Sequence, residues 1–557
     1  MEDIISTLPD SIICHILSFL PTKTAATTSI LSKRWNPLWL LVLTLNFQLD
    51  TTTLKDIDSF RNSVYAAMFS RNITLPILSF RLKCSHSSFN QYDVSRFVYF
   101  AMQRGIEKLN ISIDINFPPN ILSCKMLKVL KLKRIKVRDL SHEVDFPALK
   151  ILHLKSVLFV RHEWLEKFLA GCPILEELRT HDLHTIPPNP FVRTKPAFKP
   201  LLNLTKARIF DDHIISATLV CNVQTLHLDL MEWMRSDKLP MFHNLTYLEF
   251  NFRYIYLNNM WEWLLQMLDH CHKLRSFVIK DQILRDEEYV HNWKEPPIVP
   301  KCLSSQLRTC CIQGYKGNDI ELKFAKYILE NSKVLQTMRF KCNRYVKMWR
   351  IFSLQTKPRD FNRILEFVMQ RGVLNLDFDM FNKLRCIKLP PCILSFKTLQ
   401  ALTLLKVKIE NFDQVDIPLV EKLFLHRICF ISLEYVVKFL LGFPILKYLY
   451  INSSVSKKSP ITMEYVNALP NLVKARICEQ NTHVALFGKT KILHIDKLRF
   501  GSTRFPECYN LTNMEVSIHH DRVCDKKCTW LLGILPYFPK LRYFVIQEYC
   551  CISGRAI

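Results

Sequence analysis

Apolar positions along this chain follow two different periods. Near the amino end, Ile12, Ile13, Ile16, Leu17 and Leu20 recur at helical spacing and place branched side chains on one stripe of a short helix. Pro9 and Asp10 mark its start, Pro21 forbids its continuation, and Ser32 stands where it can cap a further helix carrying Trp35, Leu38 and Trp39. Three short helices are predicted. So small a unit cannot bury that many large side chains by itself, so a partner surface is the expected cover. Further along, the pattern changes to apolar-x-x-apolar-x-apolar, at Ile106-Leu109-Ile111, Leu127-Leu130-Leu132, Leu149-Leu152-Leu154, Leu204-Ala207-Ile209, Val223-Leu226-Leu228, Leu245-Leu248-Phe250 and Leu274-Phe277-Ile279. Each unit predicts one short parallel strand followed by a helical or irregular return, and Trp164 to Leu169 reads as one such return helix.

The units are spaced by roughly 20 to 30 residues, the period of leucine-rich repeats, whose stacking buries a core that no single repeat closes. The whole array occurs twice. Met102-Gln103-Arg104-Gly105 returns as Met369-Gln370-Arg371-Gly372, and Pro119-Asn120-Ile121-Leu122-Ser123 as Pro391-Cys392-Ile393-Leu394-Ser395. Phe168-Leu169-Ala170-Gly171-Cys172-Pro173 returns as Phe439-Leu440-Leu441-Gly442-Phe443-Pro444, and Asn203-Leu204-Thr205-Lys206-Ala207-Arg208-Ile209 as Asn471-Leu472-Val473-Lys474-Ala475-Arg476-Ile477. This is a tandem duplication in register.

Composition narrows the function classes. Only 10 glycines occur in 557 residues, and no P-loop or dinucleotide fingerprint is present. Met1-Glu2-Asp3 opens no secretory signal, and the longest apolar run, Leu38 to Leu43, is far short of a membrane span, so an intracellular protein of cytoplasm or nucleus is expected. In that setting the 19 cysteines are expected to be reduced, most of them small buried hydrophobes. Cys524 and Cys528 lack a second Cys or His pair at finger spacing, so no metal or other cofactor is expected. His153, His227 and His494 lie within strand patterns with no nucleophile elbow or HExxH beside them, which argues against an enzyme. The net charge of +26 favours acidic partners.

Leu8-Pro9, Leu20-Pro21-Thr22-Lys23 and Leu31-Ser32-Lys33-Arg34-Trp35, in this order, make the amino end resemble the F-box. The stretch from Trp293 to Leu307, with Gly314-Tyr315-Lys316-Gly317 and Phe324 to Asn331, resembles the FBD domain. There a strand is predicted at Leu307 to Ile312, a turn at Gly314 to Gly317, a helix from Glu321 to Asn331 and a strand at Leu335 to Phe340, forming one more layer that closes the first array. The chain is thus identified as a member of the plant F-box/FBD/LRR-repeat proteins. The fold class that follows is an α/β leucine-rich-repeat solenoid, a curved parallel sheet with helices outside, preceded by an all-α three-helix F-box. The expected domains are residues 1–48 (F-box), 49–285 (array, copy one), 286–343 (FBD-like) and 344–557 (array, copy two). Copy two has no F-box, and the sequence reaches Ile557 where a second FBD would begin, so this is either a two-array receptor or two adjacent related genes joined. The junction holds Trp349 and Phe352 and reads as continuous stacking, not as a flexible linker.

The resemblance implies a non-catalytic substrate receptor of a ubiquitin ligase, binding a Skp-type adaptor and through it a cullin. Leu8, Pro9, Ile12, Ile13, Ile16, Leu17, Leu20, Leu31, Trp35 and Trp39 are expected at the adaptor interface or directly behind it. Target choice is expected on the exposed strand positions: Lys131, His153, Arg179, Arg208, His227 and Glu249 in copy one, and Phe424, Tyr450, Arg476, His494 and Glu515 in copy two. An acidic or phosphorylated target fits the charge. Two alternatives stay open: a basic repeat protein binding nucleic acid, and an F-box regulator that degrades nothing.

Overall fold

The computed structural model describes the chain outside residues 1–4, 6, 50–53, 86–89, 187–198, 211–214, 230–232, 234–238, 253–259, 282–297, 315–318, 342–364, 366–367, 380–386, 458–468, 479–486, 499–507, 521–532 and 551–557. The Cys524–Cys528 pair, the junction with Trp349 and Phe352, and most of the predicted Gly314–Gly317 turn lie outside the described residues. Two compact units result, one of residues 1–251 with 270–273, the other of 252–269 with 274–557.

The first unit opens with three helices, α1 (Asp10–Leu17), α2 (Thr22–Thr27) and α3 (Trp35–Leu41). Pro21 begins α2, its carbonyl accepting the Ala25 N–H at 2.9 Å. Ser32 serves α3 differently from the expectation: its backbone carbonyl, and not its side chain, receives the Trp35 and Asn36 N–H groups at 3.1 and 3.3 Å. Then follow β1 (Thr44–Leu49), α4 (Leu54–Phe69), β2 (Ser79–Cys84), α5 (Gln91–Met102), β3 (Lys108–Asn116), β4 (Val129–Val137), β5 (Ile151–Phe159), α6 (His162–Ala170), β6 (Glu177–Thr185), β7 (Lys206–Phe210), β8 (Thr225–Asp229) and β9 (Tyr247–Phe252). Each strand from β1 to β9 pairs in parallel with the next. Strict alternation sends Leu130, Leu152, Leu178, Ala207, Leu226 and Leu248 into one buried row, as the repeat pattern requires. Phe168 on α6 closes the layer behind them, in contact with Phe117, Phe146 and Phe159.

The second unit comprises α7 (Met260–Asp269), β10 (Ser276–Asp281), α8 (Lys301–Ser305), β11 (Thr309–Gln313), α9 (Asp319–Asn331), β12 (Thr337–Lys341), β13 (Asn375–Asp379), β14 (Ile387–Lys388), β15 (Ala401–Leu405), β16 (Val407–Ile409), β17 (Lys422–Ser432), α10 (Leu433–Leu441), β18 (Tyr448–Lys457), β19 (Lys474–Cys478), β20 (Ile492–Leu498), β21 (Asn513–His520) and β22 (Tyr543–Cys550). The predicted FBD strand, helix and strand appear as β11, α9 and β12. They do not close an array: β12 pairs in parallel with β13, the first strand of copy two, so one ladder runs from β10 through this layer onward. An edge strand offers unpaired backbone groups, and here the next repeat takes them.

One feature of the strands escaped the two-residue alternation. Arg134, Ser156, Asp182, Lys406 and Arg427 adopt left-handed backbone at φ 51–59°, each two residues after the second inward position of the strand, which is a leucine in four cases and Thr180 in β6. The extra residue re-phases the chain, so that after Leu130 and Leu132 the inward positions become Ile135 and Val137. Arg134 offsets the strain by donating to the carbonyls of Cys84, Ser85 and Ser112.

Candidate functional site

The helical module has an interior of its own. Ile13, Leu17, Ala25, Trp35, Leu38 and Val42 form its core, with Leu8, Cys14, Leu20 and Trp39 packed partly against it. Arg34 ties the ends together by donating to the Asp10 carboxylate at 2.6 and 2.9 Å and to the Leu8 carbonyl. Hydrogen bonds fix the module to the first array. The Asn46 N–H donates to the Thr22 hydroxyl at 2.7 Å, and Arg71 donates to the carbonyls of Trp39 and Val42 at the end of α3. Burial, with a smaller push from Arg104, lowers the Arg71 guanidinium to about 10.

The ten residues expected at an adaptor surface therefore divide. Ile13, Leu17 and Trp35 are internal, so of the two places expected for them they stand behind the exposed face and not on it. A helix turns about 100° per residue, so the stripe 12, 13, 16, 17 covers two faces: 13 and 17 turn inward, while Ile12 and Ile16 remain 45% and 43% exposed. Pro9 and Leu31 are also exposed, and Leu8, Leu20 and Trp39 are half-buried at the rim. Sequence reasoning missed Ile5, Phe19 and Ile30, the last two 72% and 85% exposed. Phe19 follows the end of α1 and Ile30 lies in a short 3-10 turn, where no helical period flags them.

On the sheet, register brings the expected recognition residues together. Lys131, His153, Arg179, Arg208, His227 and Glu249 are successive cross-strand neighbours on β4 to β9. Phe424, Tyr450, Arg476, His494 and Glu515 are successive neighbours on β17 to β21. Several are bonded to one another or to the next row instead of standing free in solvent. Arg179 Nε donates to Glu177 Oε1 at 2.5 Å, and His153 Nε2 lies 3.0 Å from the same oxygen. Burial, reinforced by the charges of Lys131 and Arg179, lowers the His153 pKa despite Glu177, so the contact is a hydrogen bond from a neutral imidazole. Burial alone would raise the Glu177 carboxyl, but the bonds from His153 and Arg179 outweigh it and hold it low. Glu249 departs from the expected exposure: it is 8% exposed, accepts from the Tyr247 hydroxyl at 2.8 Å and faces His227 Nδ1 at 3.2 Å.

The two faces differ in chemistry. In the first array, Lys131, Lys133 and Lys155 flank one another across β4 and β5; burial together with the charges of Lys155, Arg134 and Lys83 lowers the Lys133 pKa. In the second array the equivalent region is aromatic. Phe424 and Tyr450 stack at 4.1 Å and 10°, and burial pushes the Tyr450 phenol up to about 12. Arg476 then lies bidentate on Asp496 at 2.9 and 3.2 Å, and His494 Nδ1 is 2.6 Å from Glu515. Among the described residues no helix is long and apolar enough to cross a membrane.

Comparison with known proteins matches these parts. The F-box domain matches residues 5–43, the LRR repeats of FBD-associated F-box protein At5g56370 match 101–190, and FBD matches 295–340. F-box/FBD/LRR-repeat protein At4g00160 of Arabidopsis thaliana is 30% identical over 398 residues, covering 61% of this chain and 87% of that protein. FBD-associated F-box protein At5g56370 of the same plant is 29% identical over 392 residues, covering 61% and 90%. With the three-helix module, the parallel repeat sheet and the FBD layer all in place, the chain belongs to the F-box/FBD/LRR-repeat protein family.

Proposed function

We propose that this chain is the substrate-recognition subunit of a Skp-cullin-F-box ubiquitin ligase. The observation that carries the reading is the outer face of the helical module. Ile12, Ile16, Phe19, Ile30 and Leu31 stay exposed although the module already has a complete core, so they are surplus to its folding. At about 1.5–3 kcal/mol for each large apolar side chain fully covered, a partner surface gains most by binding there. A Skp-type adaptor is the partner of that chemistry, with a cullin behind it. Ubiquitin transfer belongs to other subunits, and the chain contributes proximity by holding a target on its strand faces. Such a complex works in cytoplasm or nucleus. Affinity purification of the tagged chain followed by mass spectrometry tests this. The intact chain is expected to recover adaptor and cullin, and an Ile12→Asp/Ile16→Asp variant to lose both; equal recovery by the two would refute it.

A further inference from the structure

The duplication supplies an internal comparison of what the repeat fold requires with what it merely tolerates. Strands β3 to β6 correspond to β13, β15, β17 and β18, and none of the three outward positions per strand is the same in both copies. Lys131 became Thr403, His153 became Phe424, and Arg179 became Tyr450. A surface ion pair was retained there only in form: Lys150–Glu176 in copy one is Glu421–Lys447 in copy two, at 2.7 Å in both but with the charges exchanged. Where a contact serves only the scaffold, its polarity is free to reverse.

The next three strands behave differently. Across β7, β8 and β9 the outward residues Lys206, Arg208, His227, Asp229 and Glu249 recur across β19, β20 and β21 as Lys474, Arg476, His494, Asp496 and Glu515. Strand pairing puts Arg208, His227 and Glu249 side by side, and Arg476, His494 and Glu515 likewise. Each glutamate engages its histidine at Nδ1, which leaves Nε2 as the ring nitrogen for a ligand. Lys206, Arg208 and Lys474 are exposed.

We propose that Lys206, Arg208 and His227 in the first array, and Lys474, Arg476 and His494 in the second, are two copies of one binding site for a carboxylate-bearing peptide segment of the target. The proposal rests on the strand faces being target-binding surfaces. The lysine and arginine take an Asp or Glu side chain of the segment, and the histidine Nε2 hydrogen-bonds its backbone. A carboxylate fits better than a phosphate because Asp496 already occupies two N–H groups of Arg476. A singly charged ligand can share the remaining donors, whereas a dianion meets about twice the repulsion from Asp496 and Glu515.

Fluorescence anisotropy with a labelled oligo-glutamate peptide and, separately, a labelled oligothymidylate tests this on the full chain. An Arg208→Gln/Arg476→Gln variant is expected to weaken peptide binding about tenfold or more, consistent with loss of charge-assisted bonds. A Lys301→Gln/Lys333→Gln control, which removes the same charge from exposed positions outside the strands, is expected to weaken it less than about threefold, as remote surface charges do. Equal weakening by the two variants, no weakening, no peptide binding by the wild-type chain, or tighter oligothymidylate binding through the same arginines would each overturn the proposal. All variants are also assayed for adaptor pull-down, which none of these substitutions touches. Failure of adaptor binding by the wild-type chain thus counts against the ligase reading, and failure at the arginines against the peptide site.

Discussion

Gly171 and Gly442 stand where the chain leaves a return helix for the next strand, at places with no room for a side chain. A Cβ on Gly171 would lie 2.6 Å from Val144 Cγ1, and one on Gly442 would lie 2.7 Å from the Val415 carbonyl oxygen. Each glycine carbonyl also accepts a backbone N–H from the strand approach, Phe146 at 2.9 Å and Ile417 at 3.1 Å. Gly171→Ala is therefore expected to cost about 1–3 kcal/mol through overpacking. A lowered urea midpoint at unchanged slope would show it, and an unchanged midpoint would mean that the loop yields freely. The neighbouring thiols make a second expectation at this scale. Burial pushes Cys172 and Cys302 up to about 12, so at pH 8 neither is expected to react with iodoacetamide in the native chain, whereas both react in urea. Rapid native labelling of either would contradict the packing described. The recurring Gly-x-Pro was readable in sequence, but the clash with Val144 was not, because Val144 belongs to the preceding repeat and only folding brings it there.

At the scale of elements, the apolar period told helix from strand and placed the return helix α6 and the three FBD elements close to where they stand. Two things were hidden. The left-handed residue leaves no composition signal, since Arg134, Ser156, Asp182, Lys406 and Arg427 span four residue types; only the slip in apolar phase records it. The two faces of α1 were also merged, because in so short a helix an adjacent apolar pair reads the same whether one member or both are covered. The exchanged ion pair makes an expectation here. Lys150→Glu with Glu176→Lys gives copy one the polarity of copy two and is expected to leave stability within about 0.5 kcal/mol. Lys150→Glu alone sets two carboxylates together and is expected to lower the urea midpoint measurably. A double variant less stable than the single one would show that polarity matters at that site after all.

Over the whole molecule, the duplication kept the buried rows and let the exposed positions of β3 to β6 drift, so in that part the two arrays carry a basic face and an aromatic face on similar scaffolds. The net charge of +26 acts at long range on whatever approaches, whereas choice lies in the local clusters. The cross-strand alignment of the recognition residues was legible from their position in the repeat, because register follows from apolar spacing. The involvement of Glu177 and Tyr247 was not, since each joins the cluster by a bond that spacing does not encode. The claim on which the functional reading depends is that the outer face of the helical module, and not its interior, receives the adaptor. Isothermal titration of a purified Skp-type adaptor into the full chain measures this directly, with circular dichroism as the check on folding. The wild-type chain is expected to bind one adaptor, and Ile12→Asp/Ile16→Asp to bind at least about a hundredfold more weakly while remaining folded, as loss of central apolar contacts implies. A folded variant that binds as tightly as wild type, or a wild-type chain that binds no adaptor, would contradict it.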